Sequence, residues 1–171
     1  MSPRVDPPAR DREAAQPFTV RRATALDAAA LTELRAELFA ALGREQESGA
    51  NARFRERSTA ALNEGLSAGF CYAWLALSPE GGPVGSAALL LFPRLPTPEL
   101  PGLREGYLVS VYTAPAWRRR GVAAAMVEAA VAMGRQLGLS RVRLHATAEG
   151  AAVYEMAGFV PKSGEMELRL E

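Results

Sequence analysis

The sequence predicts one α/β domain, and three observations lead there. The length of 171 residues suits a single globular unit. Short apolar runs of strand character alternate with stretches whose apolar residues recur every three or four positions. The second half reads strand, helix, strand, a unit that crosses over with a right hand. No internal repeat is visible.

Taken in order, residues 1–17 are polar and proline-rich and lack the apolar core of a signal peptide, so they are expected to be a disordered tail. Residues 18–171 are expected to form the single folded domain. "PFTVRRAT", residues 17–24, opens it as a short strand. Thr24 followed by Asp27 marks a helix start. A helix over 25–42 then carries Leu31, Leu34, Leu38 and Leu42 on one face. A second helix over 50–68 is anchored by Phe54, Leu62 and Leu66. "FCYAWLALS", residues 70–78, is apolar on both faces and reads as a central strand. "PEGGP" turns the chain into a partner strand over 84–92. Residues 93–106 hold four prolines, which remove donors and fix φ, and predict a long loop of the kind that often serves function.

Strand character returns at "YLVSVYT", residues 107–113. A helix over 122–136 buries Val122, Met126, Ala130, Met133 and Leu137, and Gly138 ends it. "RVRLHA", residues 141–146, alternates Val142, Leu144 and Ala146 on one face with Arg141, Arg143 and His145 on the other. A short helix over 148–157 closes at Gly158, and "EMELRL", residues 165–170, is the expected last strand.

Composition excludes several function classes. Lys plus Arg number 20 and Asp plus Glu 19, a net charge of +1. A general nucleic-acid binder needs a basic excess to neutralise phosphates, so no nucleic-acid partner is expected. No apolar run approaches the roughly 18 residues of a membrane span, and a cytoplasmic location without membrane contact is expected. The single Cys71 precludes an intrachain disulfide, and no cysteine–histidine cluster offers a metal site. Cys71 lies in an apolar run and reads as a buried, inert thiol. Trp74 and Trp117 read as packing.

The unusual stretch is "APAWRRRGVAAAM", residues 114–126. It places three arginines and a glycine at the junction of a strand and a helix. The first N–H groups of a helix lack intrahelical acceptors, and the helix dipole adds about half a positive charge there. Together these make a phosphate site. Gly121 would let an anion approach the main chain. Ala123, Ala124 and Ala125 keep the first turn slim, and Arg118, Arg119 and Arg120 add charge that pairs with phosphate. The competing reading is a solvated basic turn ahead of an ordinary helix. Neither GxGxxG nor GxxxxGK[ST] occurs, so the common phosphate loops do not apply.

Arg118-Arg119-Arg120-Gly121-Val122-Ala123, three residues after Pro115, together with "AAVYEMAGF" further on, resembles the GNAT superfamily of acyl-CoA-dependent N-acetyltransferases. The family shows a strand, a proline, then [Arg/Gln]-x-x-Gly-x-[Gly/Ala] opening a helix, and later a helix with tyrosine followed by Gly-Phe. Here the second motif supplies Tyr154, Gly158 and Phe159. The resemblance covers residues 106–159 closely and extends as element order back to Phe18.

The resemblance implies a mixed, mostly antiparallel central sheet flanked by helices, with splayed central strands. It implies acetyl-CoA as co-substrate, no metal, and an amine acceptor, with the protein a monomer or homodimer. Backbone N–H groups of Arg119, Arg120, Gly121, Val122, Ala123 and Ala124 would hold the pyrophosphate. Backbone of Val111, Tyr112 and Thr113 would line the pantetheine arm and thioester, and an N–H near Val111 would polarise the thioester carbonyl. Tyr154 would be the general acid for the departing thiolate. Its bland alternative is an aromatic packed on a helix.

For the general base the residues leave alternatives open. Many relatives carry Glu at the start of the signature strand, where this chain has Tyr107. Glu105 lies two residues earlier, on the loop side, and would act through water. His145, the only histidine, has a suitable intrinsic pKa, but it shares a face with Arg141 and Arg143, which favours a solvated or hydrogen-bonded structural histidine. Water is the third choice. The acceptor pocket falls to the first-helix region and the 93–106 loop, where Glu45, Glu47, Glu99 and Glu105 are available to attract a cationic amine. The resemblance therefore implies acetyl transfer to a primary amine, with a non-catalytic acyl-CoA-binding or sensing domain as the alternative on the same scaffold.

Overall fold

The computed structural model describes residues 17–44, 48–162, 164 and 166–170. The expected tail (residues 1–16 of it), Glu45, Glu47 and Glu165 lie outside the described residues. The element order is β1 (Thr19–Arg22), a 3-10 turn (Ala25–Asp27), α1 (Ala28–Ala41), α2 (Ser48–Ala68), β2 (Cys71–Leu77), β3 (Pro83–Pro93), β4 (Arg104–Thr113), a second 3-10 turn (Pro115–Trp117), α3 (Val122–Gln136), β5 (Val142–Arg143) and α4 (Ala151–Met156). The sheet runs β1-β2-β3-β4-β5. The first three pairings are antiparallel, and β4 with β5 is parallel. The predicted α/β class and mostly antiparallel sheet are therefore observed.

Each face of the sheet carries its own apolar layer, and strand alternation decides which residue joins which. Cys71, Ala73 and Leu75 of β2 pack with Ala88, Tyr112, Leu31 and Leu34, under α1 and α2. Trp74 and Ala76 point the other way and pack with Ala87, Leu89, Leu108, Val122, Met126, Val127 and Ala130, under α3. Burial of both faces explains why β2 reads as a continuous apolar run. Cys71 is buried, as expected, and burial pushes its thiol up to about 11. Gly138 ends α3 at φ +63°. Among the described residues no helix is long and apolar enough to cross a membrane.

Several expectations need correction. The proline-rich loop is shorter than 93–106, because β4 begins at Arg104. Arg94 ties the remaining loop down: its Nη1 donates to the carbonyls of Leu100 (2.6 Å) and Gly102 (3.2 Å). Glu105 is consequently a buried strand residue rather than a loop residue. The strand over 141–146 shrinks to Val142–Arg143, since only Gly106↔Val142 and Tyr107↔Arg143 pair. The helix with Tyr154 starts at Ala151, a turn later than expected. Finally, residues 166–170 are exposed and form no strand, although Met166, Leu168 and Leu170 alternate as a strand would. A strand needs an edge to pair with, and a two-residue β5 offers almost none. Leu42, expected on one face with Leu31 and Leu34, is exposed where those two are buried.

Candidate functional site

The turn from β4 to α3 is built by residues that leave main-chain donors unused. Thr113 ends β4, and the 3-10 turn begins at Pro115. Arg119 follows with φ +59° and Gly121 with φ +84°. The first bond of α3 runs from the Ala125 N–H to the Gly121 carbonyl at 3.0 Å. The N–H groups of Val122, Ala123 and Ala124 precede it, and no side chain caps them. A Cβ on Gly121 would meet nothing within 4 Å. Glycine is thus required here by its left-handed backbone and not by internal crowding, and the space beside it is open to a ligand.

The three arginines are exposed at this turn. Arg118 Nε donates to the Thr113 carbonyl at 3.3 Å, and its Nη1 lies 3.9 Å from Glu149. Arg120 stacks on Trp117, 5.1 Å from the ring centroid. Arg118 therefore braces the loop from the strand side, while Arg119 and Arg120 border the open helix start.

The end of β4 that meets this turn lacks a neighbour on one side. Among the described residues the ladder to β5 stops after Tyr107, so the two strands part from Leu108 onward. On its other side β4 is bulged. Ser86 pairs with Tyr112 and Ala88 with Val109, which leaves Ser110 and Val111 opposite the single residue Ala87. Ser110 adopts φ +54°, and Ser86 Oγ donates to its carbonyl at 3.1 Å. Thr113 Oγ1 is buried with no hydrogen-bond partner among the described residues. An orphaned hydroxyl at the mouth of a strand gap suits a polar ligand threaded through that gap. Burial raises the Tyr112 phenol, interaction with Glu37 raises it further, and Arg118 offsets part of this.

Tyr154 projects from α4 toward the α3-side core, edge-on to Phe159 at 6.1 Å between centroids. Its ring is half-buried, and burial pushes the phenol above its ordinary value of 10. No hydrogen bond to its hydroxyl is formed by the described residues. The hydroxyl is thus a protonated donor at neutral pH that the described residues leave unused.

The other two expected catalytic residues border the paired end of β4 and β5. Glu105 lies six residues before Val111, about 20 Å along an extended strand. Its carboxylate is held by Arg141 Nε (2.6 Å), Arg143 Nη2 (2.7 Å) and Arg94 Nε (3.6 Å). Burial alone would raise its pKa, but hydrogen bonds and charge from Arg141 and Arg143 outweigh this and hold it below the usual carboxylate range. A carboxylate kept ionised by arginines is a poor proton acceptor, and the role assigned to it from the sequence does not fit this environment. His145 is exposed beside β5, and its Nδ1 shares a hydrogen bond with the Tyr107 hydroxyl. Its expected hydrogen-bonded character is present.

Sequence reasoning missed the bulge at Ser110, which no residue type announces because serine rarely adopts positive φ. It also missed Arg35. The only sequence signal was a charge directly beside the leucine stripe of α1. Arg35 Nη1 donates to Ser110 Oγ at 2.5 Å, so the first helix reaches the bulge.

Comparison with known proteins agrees with this fold. The family model described as "Acetyltransferase (GNAT) family" matches residues 30–159. The fold is similar to that of a predicted acetyltransferase from Clostridium acetobutylicum, solved with acetyl-CoA. The TM-score is 0.80 at 24% identity, over 89% of this chain and 96% of that one. It is similar to a GCN5-related N-acetyltransferase from Ralstonia eutropha JMP134, with TM-score 0.78, 24% identity, and 90% and 98% covered. It is also similar to glucosamine-6-phosphate N-acetyltransferase from Arabidopsis thaliana, with TM-score 0.68, 18% identity, and 90% and 99% covered. At these identities the structural likeness speaks for the fold. A comparison with curated proteins finds no match.

Proposed function

The chain belongs to the acetyltransferase (GNAT) family, and from that premise we propose that it moves the acetyl group of acetyl-CoA directly to a primary amine. The observation that carries this reading is the uncapped start of α3, where the N–H groups of Val122, Ala123 and Ala124 precede the first helical bond, next in the chain to the end of β4 that β5 leaves unpaired among the described residues.

In this reading the pyrophosphate of acetyl-CoA rests on the N–H groups of Arg119 to Ala124, where donors and helix dipole favour an anion. Arg119 and Arg120 add screening charge from the rim, and Arg118 braces the turn. The pantetheine arm runs along Val111, Tyr112 and Thr113, completing the hydrogen bonding that the absent neighbour strand leaves open. A main-chain N–H near Val111, beside the bulge, would meet the thioester carbonyl, so that charge developing on its oxygen finds a fixed donor. Both substrates are then held in one geometry, which supplies much of the rate.

The chemical step forms a C–N bond and breaks the C–S bond. The amine nitrogen attacks the thioester carbon, the tetrahedral adduct collapses, and the sulfur leaves with the electron pair. Tyr154 donates its proton to that sulfur, and the amine proton leaves through water, which restores the phenol. Water serves as proton acceptor because Glu105 is committed to its arginines. His145, hydrogen-bonded to Tyr107, lies nearer to the bulge along β4 than Glu105 does. The chemistry needs no metal, and we place the reaction in the cytoplasm, where acetyl-CoA is made available to soluble enzymes. The test is release of free thiol from acetyl-CoA across a panel of amines, aminoglycosides and peptide N-termini. Hydrolysis-level release with every acceptor would defeat the proposal.

A further inference from the structure

Arg35 is a half-buried cation with no counter-ion among the described residues. It lies on α1, its guanidinium 4.8 Å from the Phe39 ring centroid and 6.0 Å from that of Phe54. The two rings meet edge to face at 5.5 Å, which fixes an aromatic wall between α1 and α2. One of its five N–H donors goes to Ser110 Oγ. Among the described residues no carboxylate pairs with it, whereas the neighbouring Arg55 is matched by Glu33 at 3.0 Å. Desolvation is accordingly the cause that shifts its pKa, and it shifts it down. An arginine remains charged at neutral pH all the same. Partly buried guanidinium groups with spare donors are costly unless an anion completes them.

The position of this cation matters more than its burial. Ser110 precedes Val111 in the bulge, so Arg35 touches β4 beside the main chain assigned to the thioester. It does so from the α1 face of the sheet, whereas Tyr154 packs on the α3 face. Phe39 and Phe54 also line a cavity of about 260 Å³ between α1 and α2, whose wall includes Arg44, Asn51 and Arg55. The surroundings of the bulge on this side are therefore aromatic and basic.

We propose that Arg35 binds the carboxylate of the acceptor, and that the acceptor is an amino acid whose amine and carboxylate are close together. The inference rests on the acetyl-transfer reading above and names the substrate class of that site. A bidentate carboxylate on the outward N–H groups of Arg35 places an adjacent amine next to the bulge. Phe39 and Phe54 receive the apolar part of the side chain. A long polyamine has nothing to offer Arg35 and is repelled by it.

The experiment compares matched acceptors on the full chain. Phenylalanine and leucine are set against phenylalaninamide, leucinamide, phenethylamine and isoamylamine, with thiol release as the readout. Turnover of the acids well above the amides and simple amines is expected. Arg35→Met should raise the KM of the acid acceptors about ten- to hundred-fold, the loss expected for a charge-assisted pair. It should leave KM for acetyl-CoA unchanged and remove the preference over amides. Arg35→Lys, which keeps the charge, should fall between the two and serves if the Met variant does not fold. Equal rates on acids and amides, turnover confined to the acceptors without a carboxylate, or no acid turnover while coenzyme A still raises the melting temperature would overturn the assignment. Failure of coenzyme A to bind at all would instead overturn the transferase reading, and this inference with it.

Discussion

Arg143 reaches from β5 to place Nη2 at 2.7 Å from Glu105 Oε1 on β4, at the end where these two strands pair. The contact belongs to the scaffold. Glu105 is 8% exposed at its side chain while Arg141 and Arg143 are each 41% exposed. Removing one partner of a fully buried pair costs about 3–5 kcal/mol. Water reaches the arginines here, so about 2 kcal/mol is expected for Glu105→Gln. For a domain of this size that is a fall in melting temperature of about 5 °C. Because the folded carboxyl titrates below its ordinary value, its contribution is present above about pH 4.3, the unfolded value, and is lost as pH falls through the folded one. The variant should therefore show a flatter loss of stability on acidification. Its turnover at temperatures where it is folded should be that of the parent. A large loss of turnover in a folded Glu105→Gln protein would return Glu105 to the base role.

Gly121 allows strain and ligand contact to be separated. Its φ of +84° costs an alanine about 1–2 kcal/mol, yet a Cβ there meets no atom within 4 Å. Gly121→Ala should lower the melting temperature by a few degrees and keep most of the upward shift given by coenzyme A. Gly121→Glu should carry the same strain and abolish the shift, since bulk and negative charge stand where phosphate sits. A folded Gly121→Glu protein that binds coenzyme A normally would place the pyrophosphate elsewhere.

The arginines at this turn are predicted to differ. Arg119→Ala with Arg120→Ala should weaken coenzyme A binding and flatten its dependence on salt, because exposed charges act through a screened field. Arg118→Ala should act chiefly on the melting temperature through loss of its bond to the Thr113 carbonyl. Titration calorimetry at two salt concentrations distinguishes them. Unchanged affinity at low salt in the double variant would make the run a solvated turn.

Tyr154→Phe removes a hydroxyl that no described residue uses and keeps the ring against Phe159. Stability and coenzyme A affinity should not change. Turnover should fall by a factor within the about hundred- to ten-thousand-fold range of general acid catalysis, toward its lower end. The reason is that a free thiol titrates near about 8.5 and its thiolate is already a fair leaving group. Since burial raises the phenol, the acid form persists past pH 10, and parental activity should decline only above that. A fully active Phe variant would reduce Tyr154 to packing.

The sequence by itself determined the periodic elements and the helix-start site. The leucines of α1, the two-faced apolar run of β2 and the small-residue start of α3 are local patterns, and each dictates a local structure. The Arg118 to Ala124 turn was legible for the same reason: glycine's left-handed φ and the unused N–H groups of a helix start depend on neighbours in the chain. Only the tertiary structure decided which distant charges meet. Glu105, Arg94, Arg141 and Arg143 converge because β4 lies between β3 and β5, a pairing that no local pattern encodes. The bulge at Ser110 arises from a register shift against Ala87, and Arg35 reaches it across 75 residues of chain because α1 packs over that face. The C-terminal alternation of Met166, Leu168 and Leu170 shows the converse. Strand periodicity is local, but a strand exists only where another strand offers its unpaired edge, and β5 is too short to do so.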